Sequence, residues 1–100
     1  MATLTDVKST ISRLRQQAHD LYWDRDEDGQ LRDLLPCESR FLEQHRDIND
    51  RFDRYLRSAE DVHGHGETYQ MVSESANRQR AIELQRAWDR MVEIREDAGG

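Results

Sequence analysis

The amino-acid sequence predicts an all-α fold, an antiparallel helical hairpin or three-helix bundle, on three observations. Apolar residues recur at three-four spacing in three separate stretches, the usage is rich in Leu, Gln, Glu, Arg and Ala, and strand signals are sparse, with few Val and Thr and Pro36 the one proline. One hundred residues make a single domain. A chain of this size buries only roughly 60 to 65 per cent of the surface it exposes unfolded, so a modest core is expected.

The first helix is expected over residues 5–23. Thr3 or Thr5 can cap its free amides and Asp6 suits the positive end of its dipole. Its seam is Leu4, Val7, Ile11, Leu14, Ala18 and Leu21, the spacing of a coiled-coil-like contact. The turn-rich run from Asp24 to Gly29 ends it.

The second helix is expected over 34–62, with Pro36 tolerated in a first turn that has no intrahelical amide bond to lose. Phe41, His45, Ile48, Phe52, Tyr55 and Ala59 form its apolar face, flanked by Leu42 and Leu56. His45 and Asn49 on or beside that seam are expected to fix register or partner choice. On the opposite side Asp47 and Arg51, Asp50 and Arg54, and Asp53 and Arg57 have the spacing of an acid-first ladder of exposed ion pairs, which marks a solvated face. At about 1.5 Å per residue the helix is too long for the first to cover alone. The third helix, a second copy of the chain or a partner must cover the remainder, so oligomerisation is one expectation.

His63, Gly64, His65 and Gly66 break the helix, and a third is expected over 67–96, followed by a disordered tail at 97–100. Its apolar stripe changes phase. Tyr69, Val72 and Ala76 do not run into Ala81, Leu84, Trp88 and Met91, because Gln79, Arg80 and Glu83 occupy the joining positions. Such a helix packs on two neighbours in turn, or offers Tyr69, Met71 and Val72 to a partner. The first and second helices are expected to form the antiparallel pair, with the third packing across them. Tyr22, Trp23 and Trp88 are of the residue types that anchor interfaces, with core packing the better expectation for them.

The charge pattern is polar along the chain. Residues 24–33 hold five acids against two arginines, and residues 58–77 hold four acids with no Lys or Arg, so the net −6 resides in the connectors and two acidic poles are implied. That balance argues against nucleic acid as a direct ligand, since phosphate binding needs clustered cations. Cys37 is the only cysteine, so no intrachain disulfide can form, which fits a reducing compartment. Residues 1–15 have no apolar signal core and no run reaches the roughly 18 apolar residues of a membrane span. A cytoplasmic protein with no membrane contact is expected.

No nucleophile, base and orienter can be assembled from the spacing, and there is no phosphate loop or zinc-type cysteine pair, so no enzymatic activity, cofactor or metal is expected. His63 and His65 sit in an exposed loop without further ligands. Asp24-Arg25-Asp26-Glu27-Asp28-Gly29, continuing through Gln30 and Leu31, resembles the opening of an EF-hand calcium loop, in which alternate carboxylates converge on a hard cation. The twelfth position, where that loop needs a bidentate glutamate, is Leu35 here, so an acidic interhelical turn is the better reading and weak calcium binding the lesser alternative.

In size, acidity, helicity and lack of a recognisable active site, the chain resembles the small acidic helical inhibitors carried by phages, of which anti-CRISPR proteins are the best-known group. The resemblance implies a protein that docks acidic surface on a basic nucleic-acid-binding partner. Asp24, Asp26, Glu27, Asp28, Glu60, Asp61 and Glu67 would then make the contact. The alternative is a helical adaptor, chaperone or assembly subunit that binds through an apolar seam, using Leu56, Tyr69 and Val72, with Leu42 and Phe52 in support.

Overall fold

A computed structural model describes residues 4–99 of the chain, and their side chains from residue 6 to residue 97. Three helices, α1 (Leu4–Tyr22), α2 (Pro36–His63) and α3 (Glu67–Gly99), account for most of it, and no strand occurs among the described residues. The all-α class and the three helix positions agree with the periodicity. Helix α2 opens with Pro36 in its first turn, as its missing amide allows. The Thr3 or Thr5 cap and the Leu4 side chain lie outside the described residues. Helix α3 runs further than expected, through Gly99, because Ala98 favours helix and nothing before the terminal glycines breaks it; Gly100 lies outside the described residues.

The order of packing differs from expectation. The antiparallel pair is α2 with α3, and α1 lies mainly against α3, touching α2 only sparingly. The connectors explain this. Gly64 to Gly66 is a tight turn, and the backbone of Gly64, at φ 68 and ψ −156, is one that only glycine adopts readily. Successive helices joined so closely must pair. The thirteen residues between Tyr22 and Pro36 are long enough to swing α1 past α2 and onto α3.

Cross-helix contacts fix the directions. Glu38 meets Arg95, Phe41 meets Trp88, Arg51 meets Glu83 and Asp53 meets Arg80, so α2 and α3 run antiparallel. Arg13 of α1 bonds Gln85, while Ala18 and Leu21 reach Met91, so α1 runs parallel to α3. Ala18, Leu21, Phe41 and Met91 form a buried core at the end where all three helices meet, with Trp88 edge-on to Phe41 at 5.2 Å between ring centroids. Leu14 and Leu84 are fully buried, with Val7 and Ala81 also buried.

The phase change in the apolar stripe of α3 has its cause here. Val72 and Ala76 line a groove shared with Phe52 and Tyr55 of α2, whereas Ala81 faces Val7 of α1. The stripe turns toward α1 where α1 begins. Arg80, at that junction, is buried; it donates to Asp53 at 2.8 Å and to Asn49 at 3.5 Å, and its guanidinium and that of Arg51 lie 5.7 and 5.0 Å from the centroid of the Phe52 ring. The solvated ladder on α2 is therefore not formed as expected. Asp53 turns to Arg80 and Arg51 to Glu83, because pairing across helices offers partly desolvated partners while the i,i+4 pairs remain in water.

The result is a rod with principal extents of 51, 28 and 19 Å. One end, the base, holds three helices. At the other the α2–α3 hairpin projects past α1.

Candidate functional site

The two acidic segments fall at opposite ends of α2, which at 28 residues is about 42 Å long. The basal segment folds on itself. Arg25 and Leu31 bridge antiparallel, Gly29 turns at φ 80, and one carboxylate oxygen of Asp26 accepts the amides of Asp28 at 2.9 Å and Gln30 at 3.0 Å. Asp24 accepts from Arg32 Nε at 2.7 Å. Arg32 in turn grips Glu38 with both terminal nitrogens, at 3.1 and 3.0 Å, and Leu35 N donates to the same carboxylate at 2.9 Å. The segment is thus tied to the first turn of α2 through a buried glutamate that fills half of a capping box.

This local order decides what the basal carboxylates can do. Asp24 and Asp26 are held by protein donors and do not converge on a common point, and no cluster of three or more metal-ligating side chains occurs among the described residues. Glu27 and Asp28, at the tip of the turn, project into solvent. Of the four basal acids expected at a partner surface, two are engaged in holding the loop and two are presented.

The distal end is built differently. Helix α3 starts at Glu67, whose acidic side chain sits in its first turn, and Asp61 is exposed on the last turn of α2. Glu60 pairs with His65 at 2.7 Å, and the His65 ring meets Tyr69 edge-on. Leu56, Tyr69 and Val72 are half-buried in the α2–α3 seam. Beside them lie apolar side chains in water: Val62 is 76 per cent exposed, Met71 71 per cent and Tyr55 53 per cent. Phe52, Tyr55, Met71, Val72 and Ile82, with Arg51 and Arg78, line an open groove that runs from there toward the waist. A two-helix hairpin has no third layer to cover such residues, so the projection past α1 is what leaves them bare.

The expected acidic and apolar candidates therefore meet at one end: Glu60, Asp61 and Glu67 with Leu56, Tyr69 and Val72. Asp24, Asp26, Glu27 and Asp28 lie at the other end and form no common site with them. Tyr55 is more exposed than its seam position on α2 suggests, and Met71 stands exposed near it. Tyr22 and Trp23 are also exposed, at 60 and 50 per cent, against the expectation of core packing, because α1 ends at Tyr22 and only Leu21 of its last turn faces the core. Trp88 does pack, against Phe41.

His45 and Asn49 both lie half-buried on α2. They bond each other at 3.4 Å, and Asn49 also accepts from Arg80 across the helices. Burial, with a smaller push from the charge of Arg15, holds the His45 pKa below its ordinary value, so the ring sits neutral against Phe41. No helix among the described residues is long and apolar enough to cross a membrane. No family model, curated protein or solved structure matches the chain.

Proposed function

We propose that this protein is a non-enzymatic, cytoplasmic binding protein that works as an antagonist, docking the distal end of its α2–α3 hairpin on a basic, nucleic-acid-binding surface of another protein, as an anti-CRISPR-type inhibitor of phage origin would. The observation that carries this reading is the bare hairpin end. Met71 and Val62 stand in water there beside Asp61 and Glu67, within residues 58–77, which have no Lys or Arg, and the exposed Tyr55, between Arg54 and Arg57, adjoins them. Exposed apolar side chains supply contact area, and the exposed carboxylates of Asp61 and Glu67 select a cationic partner and steer it in. The basal loop supports this less well, since Asp24 and Asp26 are already engaged.

The test is capture of partners from phage-infected host lysate on immobilised wild-type chain and on D61K/E67K, at low and high salt, followed by a gel shift of the captured protein on its nucleic acid. Retention by wild type alone, weakened by salt, with loss of the gel shift, supports the antagonist. The same exposed groove favours a second reading, a helical adaptor or assembly subunit. Its binding would be indifferent to salt and to D61K/E67K, lost in Met71→Asp, and accompanied by a negative heat-capacity change.

A further inference from the structure

The α2–α3 hairpin has another face, turned away from the side that receives α1, and a second groove runs along it. Ile48 and Ala87, both half-buried, form its floor. Arg54 and Arg51 stand on the α2 wall, Arg86 and Arg90 on the α3 wall, and toward the base Arg40 faces Arg90 across Cys37 and Ile94. Against these five guanidinium groups the groove holds two carboxylates, Asp47 and Glu83, and Glu83 is already paired with Arg51. Arg40, Arg86 and Arg90 are exposed and have no acidic partner among the described residues. In a molecule of net charge −6 with acidic ends, this waist is the cationic exception.

The shape and charge of the groove narrow what can fill it. A second copy applying the same face would set arginine against arginine, which a two-fold contact cannot relieve. A long nucleic acid lying in the groove would run over the acidic ends, whose carboxylates repel phosphate and displace none of its counterions. From Arg40 to Arg54 the groove is about 21 Å long, roughly four helical turns. Its apolar floor between two cationic walls is the complement of a helix with an apolar seam flanked on both sides by carboxylates. We infer that the α2–α3 waist groove binds an acidic amphipathic helix of a partner protein, which would lie along α2 and α3 as a fourth helix. Arg51 lines both this groove and the distal one, but the other charged residues of the two sites differ, so either can fail alone.

The experiment titrates a fluorescent helical peptide about three heptads long, with Leu along the seam and Glu on both flanks, into the full-length chain. The same peptide with Gln in place of Glu and a single-stranded oligonucleotide serve as comparison probes. The expected result is binding of the Glu peptide with chemical-shift changes at Ile48 and Ala87, weakened about tenfold or more by R86E/R90E and by the change of Glu to Gln. If charge reversal disturbs the helical circular dichroism, R86Q/R90Q carries the same comparison. Equal binding of the Glu and Gln peptides, no binding of either, or preference for the oligonucleotide overturns the inference. The distal variant D61K/E67K leaves peptide binding unchanged, which keeps this outcome distinct from that of the antagonist reading.

Discussion

Glu38 gives up its hydration on folding and recovers it from four donor contacts: two from Arg32, one from the Leu35 amide and one from Arg95 of α3 at 3.4 Å. Its side chain is 1 per cent exposed, so a variant that removes it leaves Arg32 and Arg95 without their common acceptor. Glu38→Ala is expected to cost roughly 2 to 3 kcal/mol in urea unfolding, toward the low side for a broken buried pair because Arg32 remains partly in water. Burial raises the pKa of Glu38, and the hydrogen bonds from Arg32 and the Leu35 amide outweigh it, so the carboxyl titrates below its ordinary value. The folded chain then holds fewer protons than the unfolded one in that window. Stability is fully present above the ordinary glutamate value near 4.3 and is lost as pH falls through the lower folded value. A urea midpoint that is flat on acidification through this range, or that falls as steeply in Glu38→Ala, would contradict the assignment. His45 follows the same sign at a higher pH: its depressed folded value removes stability as pH drops below about 6.5. An NMR titration of its ring should give a pKa below that figure, and Arg15→Gln should move it upward.

At the scale of elements, the hairpin turn and the α2–α3 seam carry separable demands. Gly64 and Gly66 both have open space where a Cβ would sit, but only Gly64 has positive φ. Gly64→Ala should therefore cost about 1 to 3 kcal/mol through backbone strain alone, while Gly66→Ala changes the thermal midpoint little. Equal effects of the two would show that crowding, not conformation, governs the turn. In the seam, Arg80 is buried with its Nε unpartnered, whereas the Asp53 side chain it binds is 58 per cent exposed. Replacing the cation by an apolar residue of similar length frees Asp53 to water and removes a desolvated charge. Arg80→Met is expected to fold with stability within about 1 kcal/mol of wild type or above it, and Arg80→Ala to lose stability through the space it vacates. Both are read from chemical denaturation. The contrast locates the worth of Arg80 in its volume and its choice of register more than in its charge.

The molecule as a whole is uneven in support. Its radius of gyration is 16.2 Å, against about 13 Å for a compact chain of this length, because the hairpin extends past the three-helix base. Local stability should follow that geometry. Amides of residues 56–63 and 67–76, held in two helices only, are expected to exchange hydrogen faster than those around Phe41, Leu84 and Met91, where three helices meet. Uniform protection along α3 would mean that something else, such as self-association, covers the distal end. The same geometry puts bare apolar surface where the negative charge is least compensated, and puts the cationic groove at the waist between the two acidic ends.

Much of this architecture was legible along the chain. Leu14, Ala18, Leu21 and Phe41 announce their burial by three-four spacing, Pro36 and the Gly64 to Gly66 turn set boundaries, and the lost phase between Ala76 and Ala81 signals a change of neighbour, all through interactions within a turn or two of helix. Which neighbour is a different matter. Whether α1 lies on α2 or α3, whether Asp53 serves Arg57 or Arg80, whether Asp24 is presented or bound by Arg32, and whether Tyr55 is core or surface each depend on where a remote helix comes to rest. Helix periodicity fixes the side of a helix on which a residue stands but not what faces that side. The face is decided by loop length and by competition among apolar seams for the little surface there is to bury, and those are settled only when the three helices pack together.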